Sequence, residues 1–143
     1  MPVREVLLER GNWQVYTTLP ETPILEALAV MAEKDIGVLV VTDGEYIAGI
    51  ISERDCARRV LLQGKDPGRT TVGSVMERDV CSVAANKTAS QCIELMLRRR
   101  IRHLPVLFGR HLVGCVSLRS LLEYLYGTSP SERERKPAGK MAR

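Results

Sequence analysis

The sequence predicts an α+β fold made of two tandem copies of one β-α-β-β-α unit, and three observations carry that prediction. The chain repeats itself: offset by 65 residues, Val15–Val60 aligns with Val80–Leu125 without a gap. Nine positions of the alignment are identical: Val15/Val80, Met31/Met96, Ile36/Ile101, Leu39/Leu104, Val41/Val106, Gly44/Gly109, Gly49/Gly114, Ser52/Ser117 and Arg54/Arg119. Apolar residues switch from helical spacing to short strand-like runs in the same order in both copies. Finally, one copy of about 50 residues can hardly bury a sufficient core alone, whereas two packed through their sheets with pseudo-twofold symmetry can.

In copy one, Val15-Tyr16-Thr17 reads as a short extended piece. Thr22 is expected to cap the next helix, with Pro23 at its first position, where a missing N–H costs nothing. Ile24, Leu28 and Met31 recur on one face, and Gly37 closes the region. Val38–Val41 is a continuous apolar strand. Asp43-Gly44 signals a hairpin turn into the strand Tyr46–Ile51, and a second helix runs from near Ser52 toward Leu62. Copy two repeats the order, with Ala89, Ile93, Met96 and Leu97 on the helix face, strands Leu104–Leu107 and Leu112–Val116 around Gly109, and a helix Leu118–Tyr126. The expected division is residues 1–62 for the first repeat with its amino-terminal segment, 63–70 for a linker, 71–126 for the second repeat and 127–143 for a disordered basic tail. Val3–Arg10 is expected to lead into copy one, and Val72–Met76 into copy two.

The charge pattern narrows the function. The net charge is +4, but the segment from Thr128 to Arg143, with five basic and two acidic residues, carries +3 of it. The repeats are nearly neutral, so the broad basic footprint of a nucleic-acid binder is missing. Aromatics are only 4% of the chain, leaving few rings on which bases could stack. No apolar run approaches the roughly 18 residues that span a bilayer, and Met1–Glu5 does not read as a secretory signal. A cytoplasmic protein without a membrane partner is the expectation. Cys56, Cys81, Cys92 and Cys115 include no C-x-x-C pair and match no zinc spacing, so neither a metal nor a disulfide is expected. With two histidines, no P-loop and no Gly-x-Ser-x-Gly, nothing assembles a nucleophile with its base, and no enzyme is expected.

Two motifs point to a family. Gly49-Ile50-Ile51-Ser52-Glu53-Arg54-Asp55 closes copy one, and Arg102-His103-Leu104-Pro105-Val106 opens the strand pair of copy two. In their order, spacing and duplication they resemble a CBS-domain pair (a Bateman module) of the stand-alone bacterial type, over about residues 3–126. The resemblance implies clefts between the repeats that bind adenosine derivatives such as AMP, ADP, ATP or S-adenosylmethionine. It also implies that Asp55 holds the ribose hydroxyls and Ser52 contacts phosphate at a helix start. Elementary chemistry agrees: a helix start presents unpaired N–H groups to an anion, and an ionised carboxylate accepts from two hydroxyls. At family level, Val15, Ile36 and Ile50 are placed against the adenine, with backbone near Thr17 and Val38 reading its edge. Arg102, His103 and Arg54 are candidates to neutralise phosphate.

Each candidate has a plainer reading. Ser52-x-x-Asp55 is also a capping box. Arg98–Arg102 is also a solvated helix end, favourably placed by the helix dipole. The identity of Arg54 with Arg119 is equally explained by a structural salt bridge. Copy two departs from the motif, with Ser117 kept but Ser120 in the aspartate position, so its cleft is expected to be weak or empty.

The expected function is therefore a regulatory ligand-sensing module with an adenosine nucleotide as its ligand and no required cofactor. The alternative is a nucleotide-independent dimeric scaffold that regulates a partner protein. A homodimer is expected through helix faces around Leu25, Met31, Leu95 and Met96, and nucleic acid ranks below both readings.

Overall fold

The computed structural model describes residues 2–3 and 15–127. They form two compact units, one comprising residues 16–80 and the other residues 81–127 together with Pro2, Val3 and Val15. Each unit holds a three-stranded mixed sheet with helices, so the predicted α+β repeat is present twice. The expected tail, and most of the expected leading segment Val3–Arg10, lie outside the described residues.

In the first unit the order is β1 (Thr17–Thr18), α1 (Ile24–Lys34), β2 (Val38–Asp43), β3 (Tyr46–Ser52), α2 (Glu53–Cys56), continued by a π-helical stretch Ala57–Leu61, and α3 (Val72–Val75). Strand β2 is central, parallel to β1 and antiparallel to β3. The second unit repeats this with β4 (Val83–Ala84), α4 (Ala89–Arg99), β5 (His103–Phe108), β6 (His111–Ser117) and α5 (Leu118–Tyr126). The hairpin turns fall at Gly44 and Gly109, both left-handed at φ 64° and 62°, where a side chain would be strained. Both hairpins carry a register shift at the same place, after Val41 and after Val106. Pro105 occupies a central strand. Its counterpart Val40 donates to the Tyr16 carbonyl at 3.3 Å, a bond the second sheet does without.

The cores are aliphatic, and among the described residues no polar or charged side chain is buried. Ile24, Ala27, Met31, Leu39, Val41, Ile51, Cys56 and Val60 pack in the first unit; Ala89, Cys92, Met96, Leu104, Val106, Val116 and Leu121 pack in the second. The expected helix face needs one correction: Leu97 is 64% exposed, and Cys92 takes the inward position. Met31 and Met96 are fully buried in their own cores, so they are not available to a dimer surface, whereas Leu25 is exposed.

The leading segments are crossed relative to expectation. Val72, Val75 and Met76, expected to lead into copy two, are buried in the core of copy one. Val3, expected with copy one, is buried in the core of copy two. The two are held alike: the Val72 N–H donates to the Thr22 carbonyl at 2.8 Å, and the Val3 N–H donates to the carbonyl of Lys87, the equivalent of Thr22, at 2.6 Å. Each helix start therefore binds one short apolar segment, and the chain supplies it from the other copy's expected leader.

The start of α1 also differs from expectation. Pro23, not Thr22, is the capping residue, and no side chain caps it. The expected linker does this work instead, because Thr70 and Pro67 carbonyls accept from Ile24 and Leu25 N–H at 2.8 and 3.0 Å. In copy two a capping box suffices: Thr88 Oγ1 accepts from Gln91 N–H at 3.1 Å, and Gln91 Oε1 accepts from Thr88 N–H at 3.0 Å. Both helices stop before Gly37 or its equivalent. Asp35 and Arg100 adopt the left-handed conformation, and Ile36 and Ile101 N–H reach back to Met31 and Met96 carbonyls, each at 3.0 Å.

Candidate functional site

The motif lies where β3 runs directly into α2. Ser52 ends the strand in extended conformation and caps the helix. Its Oγ accepts from the Asp55 N–H at 3.0 Å, while Asp55 Oδ2 accepts from the Ser52 hydroxyl at 3.0 Å and from the Ser52 N–H at 3.3 Å. The capping reading of Ser52-x-x-Asp55 is thus observed. It uses one carboxylate oxygen. The other, Oδ1, faces the Arg59 guanidinium at 3.8 Å, too long for a charge-assisted hydrogen bond. The Asp55 side chain is 24% exposed, so Oδ1 retains acceptor capacity at a reachable position. The helix start offers an anion less than a bare one does, because the Glu53 N–H is already given to the Gly37 carbonyl at 3.0 Å.

Several other candidates collect around this point. Val38 pairs with Ser52 across the hairpin, and Ile50 with Val40; Thr17 pairs with Val40 on the opposite edge. Ile36, Val38 and Ile50 are half-buried and Thr17 is exposed. Arg54 is exposed on the first turn of α2, and among the described residues it carries no ion pair. Val15 belongs to the other unit.

The Gly49 of the motif has a steric reason. Chain at Met76–Glu77 crosses against β3 through two reciprocal bonds, Ile50 N–H to Glu77 carbonyl and Glu77 N–H to Ile50 carbonyl, each 2.9 Å. A Cβ on Gly49 would lie 2.7 Å from the Glu77 carbonyl oxygen and 2.7 Å from Met76 Sδ.

The second repeat builds the same corner with different chemistry. Ser117 caps α5, and Ser117 and Ser120 exchange backbone-to-hydroxyl bonds at 3.1 Å each way. The Ser120 hydroxyl then donates to the Ser117 carbonyl at 2.9 Å, so its proton is already committed. Within this unit Arg102 and His103 stand beside Ser117: His103 is its cross-strand partner, and the Leu118 N–H donates to the Arg102 carbonyl at 2.7 Å. They are the positional equivalents of Gly37 and Val38. Burial, reinforced by the Arg102 charge, pushes the His103 imidazole below its ordinary value and favours its neutral form. Arg119 pairs with Glu123 at 3.1 Å, the structural salt bridge of the plainer reading, but that explanation does not extend to Arg54.

The four cysteines are free thiols. Burial pushes Cys56 and Cys92 up to about 11, with Asp55 and Glu53 adding to the rise at Cys56, and burial pushes Cys115 up to about 12. Among the described residues no group of three or more His, Cys, Asp or Glu could hold a metal ion. No described helix is long and apolar enough to cross a membrane.

Sequence reasoning missed Arg59 and Glu77. The signal for Arg59 was present, since a basic residue four positions after a helical carboxylate shares its face. Nothing local marks Glu77, which reaches the site only because residues 72–77 fold back on copy one.

Two β-α-β-β-α repeats, each with a Gly and a Ser-capped helix start at the same corner, define a tandem α+β repeat module. The CBS domain profile matches residues 3–62 and 72–127, and the chain belongs to the CBS domain family. A CBS-domain structure from Burkholderia ambifaria MC40-6 is 37% identical, covers 87% of this chain and 93% of its own, and superposes with a TM-score of 0.83. The CBS domain-containing protein YhcV of Bacillus subtilis is 34% identical over 108 residues, 76% of each chain. The mitochondrial CBS domain-containing protein CBSX3 of Arabidopsis thaliana is 30% identical over 130 residues, 87% of this chain but 62% of that protein. CBS domain pairs are regulatory modules that generally bind adenosine ligands and often oligomerise.

Proposed function

We propose that this chain senses an adenosine nucleotide at the corner where β3 meets α2, and that occupancy regulates a partner protein. Asp55 is the ribose-binding residue, Ser52 and Arg54 lie toward the phosphate, and Ile36, Val38 and Ile50 supply apolar contact. The observation that carries this reading is the split carboxylate of Asp55: Oδ2 is consumed by the Ser52 cap, whereas Oδ1 has a compensating charge nearby and, among the described residues, no hydrogen bond. The corner in copy two has no such acceptor, because Ser120 is neutral and internally bonded, so one dominant nucleotide per chain is expected. No required cofactor, no catalysis, a homodimer and a cytoplasmic setting complete the proposal.

Thermal unfolding of the full chain against AMP, ADP, ATP, NADH and S-adenosylmethionine tests it. A ligand at 100 times its Kd adds about 2.7 kcal/mol, and Asp55→Asn, which keeps an acceptor for Ser52, should abolish the shift. A nucleotide-independent scaffold is the second reading. It is favoured by one observation: at both corners the side chains of the motif serve as a capping box for the helix they start. The absence of a shift with every adenosyl compound at millimolar concentration would select it.

A further inference from the structure

Arg59 lies one turn beyond Asp55, within the π-helical stretch, where the Leu62 N–H reaches the Ala57 carbonyl at 2.9 Å. π-Turns are rare and concentrate at functional positions. Among the described residues the guanidinium has three partners. Nη1 donates to the Val75 carbonyl at 3.0 Å, Nη2 lies 3.5 Å from Glu77 Oε2, and Nε lies 3.8 Å from Asp55 Oδ1. The first two belong to the segment bonded back onto β3 at Ile50. An unrestrained guanidinium would close on a carboxylate to about 2.7–2.9 Å. Here Val75 and Glu77 hold it off, so the charge of Oδ1 is compensated while its lone pairs take no hydrogen bond from the described residues.

We propose that Arg59 is a positioning residue for Asp55: tethered by Val75 and Glu77, it keeps the carboxylate set for a ribose diol. The proposal rests on the nucleotide reading above. It applies to copy one alone, because copy two has Tyr124 at the position of Arg59 and Ser120 at that of Asp55.

The test is AMP binding by calorimetry on the full chain, with hydrogen exchange at the Glu77 amide followed in parallel. Arg59→Ala and Arg59→Gln should each weaken AMP about fivefold, the size expected for a half-exposed ion pair, and Arg59→Lys should stay within about twofold. Glu77→Gln should weaken AMP about twofold and add nothing in the Arg59→Ala background. Loss of affinity in Arg59→Gln with Glu77 protection retained marks a charge effect at Asp55. Unchanged affinity in Arg59→Ala, equal affinity in the Gln and Lys variants, or losses that appear only where Glu77 protection also falls would overturn the proposal. If wild type ignores AMP, ADP, ATP, NADH and S-adenosylmethionine alike, the nucleotide reading fails and the positioning role fails with it. The tether is then judged separately, by a thermal double-mutant cycle of Arg59→Ala and Glu77→Gln in the ligand-free chain: a non-additive pair sustains it and additive midpoints refute it.

Discussion

Gly49→Ala should destabilise the chain far more than one methyl group suggests. The new Cβ would stand 2.7 Å from the Glu77 carbonyl oxygen and 2.7 Å from Met76 Sδ. An ordinary carbon–oxygen approach is about 3.3 Å, so the Met76–Glu77 chain must retreat by roughly half an ångström. That retreat loosens two backbone bonds to Ile50, each contributing about 1 kcal/mol, and moves Met76 within a core where it is almost fully buried, at about 1 kcal/mol more. Reduced freedom of the unfolded chain returns up to about 1 kcal/mol. The net is about 2 kcal/mol, or a fall of about 6 °C in Tm. Gly44→Ala is the control: no atom lies within 4 Å of its Cβ, and only the left-handed φ of 64° resists it, at about 1 kcal/mol. Urea unfolding of both variants reads the difference directly. A Gly49→Ala midpoint equal to or above that of Gly44→Ala would refute the steric account. The same retreat drags Glu77 from Arg59, so Gly49→Ala should also weaken AMP where a nucleotide binds.

Two further predictions concern copy two. Arg100→Gly should stabilise the fold by about 1 kcal/mol, because a non-glycine residue there sits at φ 56° at the stop of α4; an unchanged or lower urea midpoint would contradict this. His103 has a folded-state value held below its ordinary 6.5 by burial and by Arg102. The unfolded chain therefore binds the proton first, and stability present above pH 6.5 should be lost as pH falls through that value toward the folded one. Urea midpoints at pH 7.5 and 5.5 should converge in His103→Gln relative to wild type, and an identical fall in both proteins would exclude His103 as its source.

The repeat was legible because it is written in period and identity at once. Helix α5 spans the residues expected of it, Leu118–Tyr126, between the capping Ser117 and Gly127. The motif corner was legible for the same reason: Gly49, Ser52 and Asp55 are local, and their spacing alone places a cap at a strand end. What escaped the sequence was partner choice. Val72 and Val3 read only as apolar residues near a helix start, and either copy offers the same carbonyl, at Thr22 or Lys87, to receive them. A local pattern contains no term that distinguishes two equivalent acceptors. The cap of α1 failed similarly, since Thr22 is a good capping residue in isolation, whereas in the fold the linker carbonyls of Thr70 and Pro67 accept from the Ile24 and Leu25 N–H groups. The folding-back of residues 72–77 brings Glu77 and the Val75 carbonyl to Arg59. The crossed segment is thus more than a packing detail. It supplies both the wall that requires Gly49 and the tether on Arg59 beside Asp55, and copy two, with Ser120 and Tyr124 at the positions of Asp55 and Arg59, has neither carboxylate nor guanidinium at its corner.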